Sequence, residues 1–200
     1  MKVLYIPAKA KLDLNEIKNI KLQGKIGLVT TIQYSDYLKE IQKIIKNSII
    51  AGSILGCNIQ TAKNIVKKID SFLFIGTGKF HPIKLASDLN KPVYTFNPET
   101  NKLDLINKEE INGFKSKIKG SYMKYLNAEK IGILISLKPG QYNLKKALDF
   151  KKKTKKQSYL FLFNTLNLVE LENFPQIQAW VNTACPRIQY KNIINVQDLQ

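Results

Sequence analysis

The sequence predicts an α/β protein of two similar αβα units with mainly parallel sheets, carrying a ligand cleft at the C-terminal strand ends between them. Three observations lead there. Short apolar, β-branched runs alternate with amphipathic helical stretches, the rhythm of a parallel sheet covered by helices. That rhythm pauses at a compositional shift over Asn97–Lys108 and then restarts. With 200 residues, 44% hydrophobic and 24% charged, the chain can bury one large core or two small ones. This composition excludes a disordered tail, a collagen-like repeat and a disulfide-stapled miniprotein.

In the first unit, Lys2-Val3-Leu4-Tyr5-Ile6 reads as a strand and Lys25–Thr30 as the next. From Tyr34 to Ser48, apolar residues at Tyr37, Leu38, Ile41, Ile44 and Ile45 keep the spacing of a helix. Ile49-Ile50 forms a short buried strand and Gln60–Ile69 a further helix. Ser71-Phe72-Leu73-Phe74-Ile75 reads as a fully buried strand, followed by a helix opening after Gly78 and by a strand at Pro92–Phe96. Asn97-Pro98-Glu99-Thr100-Asn101-Lys102 is a turn, and Leu103–Ile106 a short extended segment. A long polar helix, Glu109–Asn127, is predicted to join the units, with the domains divided as 1–107 and 108–200. The second unit then reads as a strand at Ile131–Ser136, a helix over Tyr142–Lys152 and a strand at Tyr159–Phe163. A weak helix near Leu168–Glu172 and a strand at Gln178–Asn182 follow.

The charge balance is lopsided: 32 basic residues against 15 acidic give +17. Such a field suggests an acidic partner or nucleic acid. Yet Arg187 is the only arginine, and base reading relies on the arginine fork that lysine lacks. The dense run Lys151-Lys152-Lys153-Thr154-Lys155-Lys156 is adequately explained as a solvated helix end, where cations suit the dipole. RNA is therefore not the expected partner. No apolar run approaches the roughly 20 residues of a membrane span, and the N-terminus lacks the apolar core of a signal peptide. The expectation is a soluble, cytoplasmic protein with no membrane partner.

Four loops carry the chemistry. Two contain the only cysteines: Gly52-Ser53-Ile54-Leu55-Gly56-Cys57-Asn58, and Val181-Asn182-Thr183-Ala184-Cys185-Pro186-Arg187. Each falls just past a predicted parallel strand, where α/β proteins place ligands. A lone cysteine is by default a small buried hydrophobe, and two ligands alone do not close a zinc site. At these strand ends, however, helix N-termini and nearby cations favour the thiolate, the metal-binding form. A third loop, Gly76-Thr77-Gly78-Lys79-Phe80-His81-Pro82, allows close backbone approach to an anion, though Phe80 stands where a P-loop needs a hydroxyl. His81, the only histidine, reads as a capping or turn residue. The fourth, Ser136-Leu137-Lys138-Pro139-Gly140-Gln141, offers a cation, a rigid turn and an amide.

Taken in order with Asn97-Pro98-Glu99-Thr100, these motifs resemble the 2-(3-amino-3-carboxypropyl)histidine synthase family, which performs the first step of diphthamide biosynthesis. The resemblance covers essentially the whole chain. It implies αβα domains that each give one cysteine to a [4Fe–4S] cluster whose fourth iron is open to S-adenosylmethionine. Reductive cleavage of the Cγ–S bond then yields a 3-amino-3-carboxypropyl radical, which adds to imidazole C2 of a histidine on elongation factor 2. By resemblance Cys57 and Cys185 are metal ligands, from the family's middle and last domains. Gly76, Gly78, Lys138, Gly140 and Gln141 are the candidates for contacting cofactor polar groups.

The departure from the family pattern matters equally. Met1–Pro7 resembles the start of the family's second domain, so a first domain and its cysteine are expected outside this chain. The resemblance therefore implies a subunit or split fragment of an S-adenosylmethionine-dependent transferase. Its implied partners are elongation factor 2 as substrate, an electron-donor protein, and either a separate chain carrying the first domain or a second copy. The alternatives are a non-catalytic scaffold relative and a basic RNA- or ribosome-binding module.

Overall fold

The computed structural model describes residues 3–54 and 59–199. Two compact units emerge, Met1–Phe114 and Lys115–Gln200. The division falls inside the long helix rather than at its start.

In the first unit, α1 (Leu14–Lys18) precedes β1 (Ile26–Thr30), and α2 (Leu38–Ile44) leads to β2 (Ser48–Ser53). Next come α3 (Gln60–Lys63), β3 (Ser71–Ile75), α4 (Phe80–Leu89), β4 (Val93–Asn97) and β5 (Lys102–Leu105). The sheet order is β2-β1-β3-β4-β5, with every pair parallel except the β4–β5 hairpin. Strand periodicity sends successive side chains to opposite faces, and β3 shows the consequence. Phe72 and Phe74 enter one core with Val29, Leu85 and Val93, while Leu73 and Ile75 enter another with Ile17, Leu28, Ile41 and Phe96. A sheet buried on both faces accounts for the continuous apolar run of β3.

The second unit holds β6 (Lys130–Ser136), α6 (Leu144–Lys153), β7 (Gln157–Phe163), β8 (Ala179–Asn182) and β9 (Ile193–Asn195). Its sheet, β7-β6-β8-β9, is wholly parallel. Gly132 of β6 lies opposite Trp180 of β8. A Cβ at Gly132 would stand 2.3 Å from two Trp180 ring carbons, so the missing side chain is what admits the indole. Helix α5 (Lys108–Asn127) begins with a reciprocal cap: Glu110 N–H donates to Asn107 Oδ1 (2.8 Å) and Asn107 N–H to Glu110 Oε2 (3.1 Å).

Several sequence expectations need correction. The described part of the Lys2–Ile6 segment is not a strand: it pairs with nothing, and Leu4 and Ile6 are exposed. Apolar, β-branched composition supplies propensity, but a strand exists only where a partner completes its ladder. The predicted Tyr34–Ser48 helix is divided into a 3₁₀ turn over Ile32–Tyr37 and α2, and Ser48 already belongs to β2. The Gln60–Ile69 helix shortens to α3 plus a 3₁₀ turn at Val66–Lys68. The β7–β8 crossover has a 3₁₀ turn, Val169–Asn173, instead of an α-helix.

Candidate functional site

Each sheet has its own switch point, where the strand order reverses. In the first unit the chain leaves β1 toward β2 on one side, then crosses back to β3 on the other. The switch point therefore lies at the C-terminal ends of β1 and β3, where open α/β sheets bind ligands. Thr30 Oγ1 donates to the Ile75 carbonyl (2.7 Å) and Ile54 N–H to the Thr30 carbonyl (2.7 Å), tying the ends of β1, β3 and the loop after β2. Gly78 adopts φ +77°, a left-handed conformation, with open space where a Cβ would sit. Lys79 Nζ is paired with Glu110 Oε1 at 2.6 Å. That contact fixes the glycine loop to the α5 N-terminus, holding the Glu110 carboxyl below its usual range and the Lys79 ammonium above its own. His81 sits in the first turn of α4, stacked near Phe74 and edge-on to Phe80. Tyr34, buried after β1, has its phenol pushed above the ordinary value by burial and by the Glu99 carboxylate.

In the second unit the equivalent switch point lies between β6 and β8. After β6, Gln141 N–H donates to the Lys138 carbonyl (3.0 Å), with Pro139 and Gly140 (φ +77°) between them. Proline followed by a positive-φ glycine defines a type II turn, so Gly140 has a purely conformational reason to be there. Lys138 is exposed and Gln141 half-buried beside it.

After β8 comes Cys185, partly exposed. Its loop hangs on buried amides. Asn182, 1% exposed, donates from Nδ2 to the Cys185 carbonyl (2.9 Å) and to Asn195 Oδ1 (2.8 Å). Its Oδ1 accepts from Ala184 N–H (2.9 Å). Asn195 Nδ2 in turn donates to the Pro186 carbonyl (3.4 Å) and to Asp198 Oδ2 (3.1 Å). Thr183 Oγ1 donates to the Leu134 carbonyl (2.8 Å) across to β6. The backbone on both sides of Cys185 is thereby fixed, while the residue itself stays partly exposed. Asn195 and Asp198 were not among the predicted site residues, because nothing local in the sequence links them to Asn182.

Cys57 lies outside the described residues; β2, which precedes it, ends at Ser53. Among the described residues no three His, Cys, Asp or Glu side chains converge as a metal site. The two sheets match strand for strand, β2-β1-β3-β4 against β7-β6-β8-β9. Cys57 follows β2 in the chain, whereas Cys185 follows β8, the counterpart of β3. The cysteines thus belong to different loops of one repeated plan, and the counterpart of the Cys185 loop in the first unit is the Gly76–Gly78 loop.

Mainly parallel sheets, with the Cys185 loop held at the switch point of the second, define the class: an α/β protein with a cysteine-bearing loop at a C-terminal strand end. Over residues 1–195 the sequence matches the family model described as "Putative diphthamide synthesis protein", and the chain belongs to that family. It is 32% identical to the 2-(3-amino-3-carboxypropyl)histidine synthase of Pyrococcus horikoshii, over 92% of this chain and 58% of the relative. The synthase of Methanocaldococcus jannaschii is likewise 32% identical, over 94% of this chain and 56% of the relative. A Schizosaccharomyces pombe protein named subunit 1 of the synthase is 27% identical, over 94% and 48%. The crystal structure of Dph2 from Pyrococcus horikoshii superposes with a TM-score of 0.79 at 29% identity, covering 96% of this chain and 62% of that one. The same protein crystallised with a 4Fe-4S cluster gives 0.75 at 30% identity, covering 93% and 58%. This chain therefore spans between about half and three fifths of these relatives' length. Among the described residues, no helix is long and apolar enough to cross a membrane.

Proposed function

We infer that this chain is one subunit or split fragment of a [4Fe–4S], S-adenosylmethionine-dependent 3-amino-3-carboxypropyl transferase that modifies a histidine of elongation factor 2. The observation that carries this reading is Cys185, partly exposed on a loop held by Asn182 at the switch point of its sheet. The donor set fits an iron–sulfur cluster in part: two thiols are present in the whole sequence, Cys57 and Cys185. A third thiolate comes from a separate chain carrying the first domain, or from a second copy. The subunit designation of the yeast relative supports a shared active site.

When bound, the cluster supplies the electron for reductive cleavage of the co-substrate. The protein's own part is to hold and orient. By fixing the Cys185 backbone, Asn182 would let the Cys185 thiolate hold a cluster with little reorganisation. Candidates for contacting polar groups of the co-substrate are the backbone at Gly78 in the first unit and, in the second, Gly140 with Lys138 and Gln141; the Gly76 N–H already donates to the Phe96 carbonyl (3.1 Å). The +17 charge steers an acidic protein surface toward the site. An electron-donor protein completes the set of partners.

The test is a reconstitution without oxygen. This chain, S-adenosylmethionine, a chemical reductant and elongation factor 2 are combined with and without a first-domain chain from a full-length relative. Mass spectrometry of the target histidine should find the 3-amino-3-carboxypropyl group only when the added domain is present. No modification under either condition, with cluster content verified, contradicts the transferase reading and favours a scaffold.

A further inference from the structure

A cavity of about 640 Å³ lies wholly within the Lys115–Gln200 unit. Its volume falls in the range of small-ligand sites, roughly 300–1,000 Å³. One wall is α5, where Lys117 and Lys124 stand two turns apart on one face. Gly120 and Ser121 lie between them and keep the helix surface low. The facing wall is the chain that returns from Cys185 to β9, contributing Arg187, Tyr190 and Lys191. Ser121 Oγ donates to the Tyr190 carbonyl at 3.3 Å, and Ile193 N–H donates to the same carbonyl at 3.0 Å. These bonds fix the wall to the helix and leave the Tyr190 ring 39% exposed.

The charge on this cavity is one-sided. Four cations line it against one carboxylate, Asp198, which already accepts from Asn195. Among the described residues Lys117, Lys124 and Lys191 make neither an ion pair nor a side-chain hydrogen bond. Cations on opposite walls exceed what a single carboxylate or sulfate needs, and they match a chain of phosphates. The remaining lining is different in kind: Tyr190 offers a ring face, and Ile118 and Ile193 an apolar surface. That pairing suits an aromatic base attached to phosphates.

We propose that this cavity is a binding site for a nucleoside di- or triphosphate, separate from the site of S-adenosylmethionine. The phosphates lie between Lys117 and Lys124 on one side and Arg187 and Lys191 on the other, and the base packs on Tyr190. S-adenosylmethionine, whose sulfonium and ammonium outweigh its carboxylate, is repelled by the same cations. Arg187 and Asn195 belong both to this cavity and to the segment that supports Cys185. Nucleotide occupancy therefore stiffens the cysteine loop.

The experiment uses the whole chain and a fluorescent N-methylanthraniloyl ATP, read by anisotropy at near-physiological salt. The pair Lys124→Glu with Lys191→Glu should weaken binding by about tenfold or more, the scale of losing charge-assisted phosphate contacts. The control pair Lys68→Glu with Lys152→Glu changes the same charge at exposed positions outside the cavity and should cost less than about twofold. Unlabelled ATP should compete well, and inorganic triphosphate or adenosine less well. On the unmodified chain, ATP should slow amide exchange in residues 184–191 and 118–121. Equal losses in the two variant pairs, competition by S-adenosylmethionine as strong as by ATP, or protection outside these segments would each overturn the proposal. So would failure of the labelled nucleotide to bind. None of these results depends on cluster assembly, so they stand apart from the test of the transferase.

Discussion

Replacing Asn182 by alanine removes three hydrogen bonds at 2.8–2.9 Å in one step. The consequences differ by group. Asn195, 6% exposed, keeps a buried Oδ1 with its donor gone, and an orphaned buried acceptor costs about 1–3 kcal/mol. The Cys185 carbonyl and the Ala184 amide lie on a partly exposed stretch and can turn to water, so each loses only about 0.5–1 kcal/mol. The expected loss is about 3 kcal/mol, which at about 2 kcal/mol per molar lowers a urea midpoint by about 1.5 M. Two readouts separate a local from a global effect. Urea unfolding followed by fluorescence of Trp180, the only tryptophan, gives the term for the second unit as a whole. Amide exchange at Ala184 gives the local one and should accelerate at least about tenfold, because about 1.4 kcal/mol already corresponds to that factor. An unchanged midpoint with unchanged Ala184 exchange would refute the claim that Asn182 holds the cysteine loop.

Two further expectations follow from the packing and the charges. Gly132→Ala places a methyl 2.3 Å from the Trp180 ring, so the second unit should lose about 1–3 kcal/mol or more and its near-ultraviolet Trp180 signal should change; a variant as stable as the parent contradicts the contact. Glu110 has a carboxyl held low by Lys79, so its contribution is present above the ordinary glutamate value of about 4.3 and disappears as pH falls through the lower folded value. Lys79, held high, contributes below its ordinary value of about 10.4 and loses that contribution as pH rises through the higher folded value. Unfolding midpoints across pH 2–6 should therefore fall less steeply in Glu110→Gln than in the parent; a steeper fall in the variant contradicts the pairing.

What the sequence disclosed, and what it concealed, follows from the range of the forces involved. The βα rhythm is local, so Ser71–Ile75, Ile131–Ser136 and the long helix were readable from spacing and composition. Pairing is not local. Val3–Ile6 has the composition of a strand but, among the described residues, no neighbour to pair with, whereas the three residues of β9, the last of them Asn195, form a strand because β8 lies alongside. The Cys185 loop was legible as a motif past a strand end. Its support was not: Asn182 and Asn195 stand 13 residues apart and meet only because β8 and β9 are adjacent strands. The cation-lined cavity was hidden for the same reason, since Lys117, Lys124, Arg187 and Lys191 come from distant stretches of a uniformly lysine-rich chain.

The central claim is that Cys57 and Cys185 are two of three thiolates around one cluster. It is tested most directly by iron content and electron paramagnetic resonance after anaerobic reconstitution of the chain with a first-domain partner. The parent is compared with Cys57→Ser and Cys185→Ser. The account predicts about four irons and a reduced [4Fe–4S] signal for the parent complex, and loss of both in either variant. Iron and signal retained in both variants would contradict it.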